Sequence, residues 1–136
     1  MTTQERTMKS KLYQEEFDTI FNDRKAFRVR GALVASAFIE GQILLLTKSF
    51  LEKKEVIYKP ESRQEYFQSL NVLGTNNILN RQELKQIRQF REQRNKAIHG
   101  IFKGMKRCEW EEQNKKVVEL GRPIIKNLDK KLYPKE

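Results

Sequence analysis

The sequence contains few of the side chains on which metal centres and disulfide-stabilised folds depend. Its 136 residues include one cysteine, Cys108, and one histidine, His99. A lone cysteine cannot form an internal disulfide, and one histidine beside it leaves too few ligands for a zinc site. We therefore expect no metal and no other cofactor, and a reducing, cytoplasmic environment fits the chain best.

Glycine motifs and strand patterns are missing as well. The chain has no glycine-rich phosphate loop, no GxGxxG and no pair of CxxC motifs, which excludes the common nucleotide-binding and zinc-ribbon signatures. No segment alternates apolar and polar residues as a half-buried strand does, and no internal repeat is visible. The first ten residues are polar and no apolar run follows them directly, so we expect no secretory signal.

The most apolar stretch runs from Ala32 to Leu46 and is interrupted by Glu40. It is shorter than the roughly 18–20 residues that a membrane-spanning helix needs, so we expect no insertion into a membrane. Because nearly every face of it is apolar, it should be a core helix surrounded by other elements. A carboxylate in such a helix needs a hydrogen-bond donor, and an arginine would be the natural one. Alternatively, Glu40 faces a solvent-filled gap between helices.

Charged residues are abundant and mostly basic. They make up 34% of the chain and give a net charge of +10 at pH 7. This excess favours a polyanionic partner, with nucleic acid as the first candidate and an acidic membrane surface as the second. The length corresponds to one domain, residues 1–136, with frayed ends expected at 1–10 and 133–136.

Apolar residues recur at helical spacing through most of the chain. Ser62 followed by Glu65 predicts a capping box, and Gly100 is suited to ending a helix. We expect a loop at Gly74–Asn77, and Pro123 should either kink or restart the last helix. The predicted fold class is all-α, an antiparallel helical bundle of four to five helices. The predicted helical segments are Lys11–Arg24, Phe27 to about Lys54, a segment from Ser62, Asn80 to Ile98, and Glu109 to about Lys131.

The segment RNKAIHG, residues 94–100, stands at the end of the Asn80–Ile98 helix. His99 is the only side chain of a type that ordinarily gains or loses a proton near neutrality. At about 100° per residue, Arg91 and Arg94 fall within the apolar arc of this helix, where a buried guanidinium needs an anion or several acceptors. Alternatively, both arginines snorkel, with their stems on apolar neighbours and their heads in water.

An R-N-x-x-x-H-G segment that ends one helix before a final helix, in a small all-α chain, resembles the HEPN superfamily. Members carry an R-x4–6-H motif with a polar residue, often asparagine, directly after the arginine, and Arg94, Asn95 and His99 match it position by position. The second predicted helix is similar to the family's in placing an acidic residue before a glycine, here Glu40-Gly41. The likeness covers most of the chain in element order but only these few positions in identity.

The resemblance implies a symmetric homodimer that brings two such motifs to one cleft. Many members are metal-independent endoribonucleases, including toxins of toxin–antitoxin and phage-defence systems, whereas relatives of the mannitol operon repressor share the fold without established nuclease chemistry. One toxin branch has a tyrosine two residues after the histidine. Here that position is Ile101, which argues against that branch and leaves any antitoxin or regulatory partner unidentified.

The resemblance assigns the motif residues roles in metal-free RNA cleavage. His99 would take or give a proton, and Arg94 would hold the scissile phosphate. Asn95 would orient the phosphate or the histidine, and Glu40 would hold Arg94 or His99 in position. We expect the imidazole and the guanidinium to converge on one anion-attracting pocket, doubled by a twofold axis.

The helix that carries the motif has six basic and two acidic residues between positions 80 and 98, a bias that a solvated face does not require. Tyr66 or Phe102 would stack on a base, although each also suits the core or an interface. The basic side chains expected to track an RNA backbone are Arg88, Arg91, Lys96 and Lys103.

Two other functions fit the same residues. In a non-catalytic HEPN-like binding or regulatory module, Arg94 and His99 would belong to a structural hydrogen-bond network or bind a nucleotide. In a plain interaction bundle, the arginines would pair with Glu40 and other acids, and the protein would have no affinity for RNA at low salt.

Overall fold

Four helices make up almost all of the chain that the computed structural model describes, which is residues 29–55, 64–100 and 103–134. No strand occurs in these residues, so the predicted all-α class is confirmed for them. The helix predicted at Lys11–Arg24 and the cap predicted at Ser62 lie outside the described residues. The four helices are α1 Val29–Lys53, α2 Gln64–Thr75, α3 Arg81–His99 and α4 Arg107–Leu132.

The core lies where α1, α3 and α4 meet. Gly121 on α4 permits a close approach of the three helices, because a Cβ atom there would lie 2.9 Å from Phe90 Cε2 on α3 and 3.4 Å from Ala35 Cβ on α1. Burial of apolar side chains is the main favourable term in folding, at roughly 25 cal/mol per Å² of apolar surface removed from water. The largest apolar side chains that are almost fully buried are Ile39, Ile43, Leu73, Leu79, Val117, Val118 and Leu128.

Cross-helix contacts set the directions of the helices. Glu83 at the start of α3 contacts Lys131 at the end of α4, and Ala97 near the end of α3 contacts Trp110 near the start of α4. These two helices are therefore antiparallel, as predicted. Helices α1 and α4 run the same way, because Ala35 lies against Gly121 while Gln42, further along α1, donates to the Ile125 carbonyl, further along α4. The bundle is thus not antiparallel throughout.

The outward side of α1 is open in the described part of the structure. Leu33 is 49% exposed and Leu45 is 42% exposed, and a Cβ on Gly41 would have no neighbour within 4 Å. The prediction that other elements surround this helix is therefore wrong for the described residues. By length and composition alone, Gly31–Lys53 is apolar and long enough to cross a membrane, a test that the core helix of a bundle also passes.

Helix α3 begins with a capping box. Asn80 Oδ1 accepts a hydrogen bond from the Glu83 N–H, and Glu83 Oε1 accepts one from the Asn80 N–H. The other carboxylate oxygen of Glu83 lies 3.1 Å from Lys131 Nζ and also accepts from the Asn127 amide. This end of α3 is therefore fixed to α4 as well as capped.

Several predicted boundaries move by a few residues. Helix α2 continues through Gly74 to Thr75, so the predicted loop starts two residues too early, and α4 continues through Pro123 without a restart. Gly100 follows α3 but keeps right-handed helical angles, and its side is closely approached by Met105. Tyr133, placed in a frayed tail by the sequence, donates its N–H to the Asp129 carbonyl and closes α4.

Candidate functional site

Arg94 joins α3 to α1 through its guanidinium. Nη1 donates to Ser36 Oγ at 2.9 Å and to Glu40 Oε1 at 3.2 Å, and Nη2 donates to Asn95 Oδ1 at 3.0 Å. A guanidinium has five N–H groups, and three are used here, so one N–H of Nη2 and the buried Nε–H have no hydrogen-bond acceptor among the described residues. The Arg94 side chain is 17% exposed, which leaves the group partly accessible to an anion.

Glu40 pairs with an arginine, as the sequence predicted, and its side chain is also 48% exposed. The expected donor and the alternative of a solvent-facing carboxylate are thus both realised. Ser36 is buried and supplies a second acceptor to the same Arg94 nitrogen. Ser36 and Glu40 lie four residues apart on one side of α1, so α1 presents the two acceptors one above the other.

Arg91 also points inward, but onto aromatic rings. Its guanidinium carbon lies 4.1 Å from the centre of the Phe67 ring and 5.3 Å from that of Tyr66, both on α2. Arg91 Nη1 is buried and has no hydrogen-bond acceptor in the described structure. Aromatic faces attract a guanidinium electrostatically, which accounts for an arginine held without an acid.

Tyr66 belongs to the same cluster. Burial raises the pKa of its phenol to about 12, with a smaller upward contribution from Glu40 that the positive charges of Arg91 and Arg94 oppose. The phenol therefore stays neutral at every physiological pH. The cluster keeps two guanidinium groups against one carboxylate, and its net positive charge favours an anionic ligand.

His99 is the last residue of α3, and its side chain is exposed. Five residues of helix turn the chain by about 140°, so the imidazole and the Arg94 guanidinium leave the helix in different directions, and no hydrogen bond joins these two described residues. Asn95 lies one turn before His99, on the same side of the helix as the imidazole. Its Oδ1 accepts a hydrogen bond from Arg94 Nη2. Convergence of the imidazole and the guanidinium on one pocket, doubled by a twofold axis, stays a prediction.

The exposed side of α3 is basic. Arg88, Asn95 and His99 lie within about 40° of one another around the helix axis, all three are exposed, and the acidic Glu92 is exposed on the same side. Lys96 is exposed about 60° further round, and Lys103 is exposed in the segment that leads to α4. Arg88, Lys96 and Lys103 have no ion pair within the described residues, so their charge remains available to a ligand.

Helix α4 holds the turns of α3 that carry the motif. Trp110 Nε1 donates to the Ala97 carbonyl at 2.9 Å, and Gln113 Nε2 donates to both the carbonyl and the side-chain oxygen of Gln93. Carbonyl groups near the end of a helix lack N–H partners of their own. The last two turns of α3 are therefore fixed from outside by α4.

Two open grooves lie elsewhere. An apolar groove of about 290 Å³ is bounded by α1 and the end of α4, with Phe38, Gly41 and Leu132 among its lining residues. A larger groove of about 570 Å³ adjoins the end of α1 near Phe50. Neither groove contains Arg94, Asn95 or His99. Among the described residues, no three histidine, cysteine or carboxylate side chains are grouped as metal ligands.

Four residues escaped prediction, two at the site and two at the start of α3. Ser36 lies four residues before Glu40, a helical spacing that could have identified it as a second acceptor. Phe67 has the spacing of a core residue on its helix, and its 52% exposure is visible only in the tertiary structure. Asn80 and Glu83 match the sequence pattern of a capping box and were not recognised as one.

Comparison of the chain with protein-family models, curated proteins and solved structures found no match.

Proposed function

We propose that this protein is a metal-independent endoribonuclease of the HEPN type, a candidate toxin or defence effector that acts as a homodimer. The observation that carries the proposal is the contact set of Arg94, whose guanidinium is fixed by Ser36, Glu40 and Asn95 and still keeps an N–H free of acceptors among the described residues. An arginine held in this way presents a permanent, oriented positive charge to a phosphate.

The chemistry divides between two kinds of group. An imidazole such as that of His99 removes the proton of a ribose 2′-hydroxyl, and the oxygen attacks the adjacent phosphorus. The bond from phosphorus to the 5′-oxygen breaks, a 2′,3′-cyclic phosphate forms, and a second imidazole protonates the departing oxygen. Arg94 stabilises the charge on the non-bridging oxygens, and Asn95 keeps the guanidinium oriented from the side on which His99 lies.

A twofold dimer answers the divergence of Arg94 and His99 within one chain. In a dimer the imidazole of one protomer would meet the guanidinium of its partner, and the two imidazoles would serve as base and acid. Leu33 and Ala37 are exposed on α1, two turns and one turn before Glu40. An exposed apolar strip beside the site is a surface that a second copy would cover.

The test compares purified wild-type protein with His99→Ala and Arg94→Ala on a quenched fluorescent single-stranded RNA. We expect cleavage by the wild type and losses of at least about 100-fold in both variants, since each removes a group that acts on the transition state. Melting curves and light scattering should show the fold and the oligomeric state unchanged. Equal cleavage by the wild type and both variants would contradict the assignment.

A second candidate is a non-catalytic module that binds RNA or a nucleotide. Two observations favour it. Arg94 Nη1 already donates to Ser36 and Glu40, and no hydrogen bond joins Arg94 to His99 among the described residues. This candidate predicts RNA retention in a gel at low salt with no cleavage at any protein concentration. The assay on the wild-type protein therefore separates the two functions.

A further inference from the structure

We propose that Phe67 and Arg91 form a base-stacking subsite for single-stranded RNA, one helical turn from Arg94. The proposal rests on the proposed function for its ligand, because that function names RNA as the substrate. It adds the group that holds a base of the strand whose phosphate Arg94 contacts.

Phe67 is an exposed aromatic residue. Half of this side chain, 52%, is accessible, although its neighbours Leu70 and Leu73 on α2 pack into or against the core. A large aromatic ring left in water costs free energy unless a ligand covers it. Base stacking is one use of such a ring, and it tolerates any sequence because every base has a π face.

The guanidinium of Arg91 lies over the Phe67 ring. Its carbon lies 4.1 Å from the Phe67 centroid, within the range of a direct cation–π contact. Tyr66 supports the arrangement with its ring nearly perpendicular to that of Phe67, at 74° and 5.8 Å between centroids. The Phe67 ring is therefore fixed from two sides, and a fixed ring loses little conformational entropy when a base stacks on it.

The surroundings of the Phe67 ring are positively charged. Arg91 has no acid within ion-pair distance among the described residues. Its positive charge is therefore not neutralised by a carboxylate there. Arg88 and Arg94 lie one turn to either side of it on α3. A base on Phe67 would bring its own phosphates within reach of these cations, and a planar guanidinium stacks on bases as well as on rings.

The experiment uses full-length protein carrying His99→Ala, so that bound RNA stays intact. The probe is a short uridine oligonucleotide with one 2-aminopurine, whose fluorescence falls when the base stacks. We expect quenching on binding. In the added variant Phe67→Leu, which keeps an apolar side chain but removes the aromatic ring, quenching should be lost and affinity should fall by about tenfold. Phe67→Tyr should retain both signals.

Two further variants separate stacking from charge and from general surface effects. Arg91→Lys keeps the positive charge but loses the planar group, so quenching should weaken while the salt dependence of binding stays the same. Leu45→Ser changes an exposed apolar residue on α1 and should leave the binding and the quenching unchanged. Melting curves show whether each variant folds.

The outcomes distinguish this subsite from the nuclease proposal. RNA binding with equal quenching and affinity in Phe67→Leu and Phe67→Tyr overturns the subsite and leaves cleavage by Arg94 and His99 untouched. Quenching that depends on Phe67, in a protein whose wild type cuts no RNA, supports the subsite and overturns the nuclease. Failure to bind RNA at low salt, together with Phe67-dependent binding to phosphatidylserine vesicles, overturns the subsite in favour of a membrane contact.

Discussion

Arg94 on α3 reaches Glu40 on α1, 54 residues earlier in the chain, with 3.2 Å between Nη1 and Oε1. The same nitrogen also reaches Ser36, so two helices hold one guanidinium. Because Glu40 is half exposed, the ion pair itself adds little to stability, and its main effect is on the direction in which Arg94 points.

Removing the charge of Glu40 should therefore affect activity more than folding. We expect Glu40→Gln to change the free energy of unfolding by less than about 1 kcal/mol and to lower RNA cleavage by about tenfold, since a misdirected guanidinium stabilises the transition state poorly. Urea unfolding and initial cleavage rates measure the two effects. Glu52→Gln, which breaks the exposed pair with Lys48, is the matched control and should change neither quantity.

Chelation of metal ions should leave cleavage unchanged. The proposed chemistry uses an imidazole for proton transfer and a guanidinium for charge stabilisation, and neither step requires a metal ion. Rates measured with excess EDTA and with added magnesium should agree within error. A strict requirement for magnesium would contradict the roles given to His99 and Arg94.

Glu83 should make stability depend on pH in the acid range. Burial by itself would raise the pKa of this carboxyl, but hydrogen bonds from the Asn80 N–H, Asn127 and Lys131 outweigh it and lower the pKa below its usual 4.5. A lowered pKa means that the carboxylate stabilises the fold above about pH 4.5 and that this contribution is lost as the pH falls through the folded-state value.

The variant Glu83→Gln tests this prediction. We expect a loss of about 1–2 kcal/mol at pH 7, because the helix cap and the bond to Lys131 both weaken. The difference from the wild type should shrink as the pH is lowered below 4.5 toward 3, because folding then costs the wild type the proton that the unfolded carboxyl binds. Urea unfolding at both pH values measures this, and Glu92→Gln, exposed on the same helix, should show no difference at either. A constant difference at both pH values would contradict the role of the charge.

Two glycine-to-alanine changes should act in opposite directions. Gly121→Ala places a methyl group 2.9 Å from Phe90 and should destabilise the protein by about 1–3 kcal/mol through overpacking. Gly41→Ala meets nothing within 4 Å and lies inside a helix, so it should stabilise by about 0.5–1 kcal/mol. Thermal melts of both variants measure the pair. The added change Phe90→Leu should partly rescue Gly121→Ala, and destabilisation by Gly41→Ala would contradict the open space beside it.

Helical periodicity predicted the all-α class and the four described helices to within a few residues, because burial follows the 3.6-residue repeat closely. Ile87, Phe90 and Ala97 are buried as their spacing indicated, and Arg94 faces inward as its position in that arc required. The pairing of Glu40 with an arginine was predictable, since a carboxylate amid apolar residues needs a donor.

The parts that could not be predicted depend on distances between helices. The pattern placed Arg91 inward but could not show that aromatic rings rather than an acid would receive it. It also could not show that α1 leaves Leu33 exposed, because an apolar residue fits a core and an open surface equally well. The direction of α1 relative to α4 is set by the connection between elements, which periodicity does not describe.

The hydrogen bond from Trp110 to the Ala97 carbonyl has a consequence during synthesis. The final turn of α3, which carries His99, acquires this tie only after the chain has been made as far as residue 110 and α4 has begun to dock. A ribosome-bound fragment that stops before that point would possess the imidazole without the contact that fixes its turn. The geometry that the proposed cleavage needs would thus arise only after α4 has begun to form.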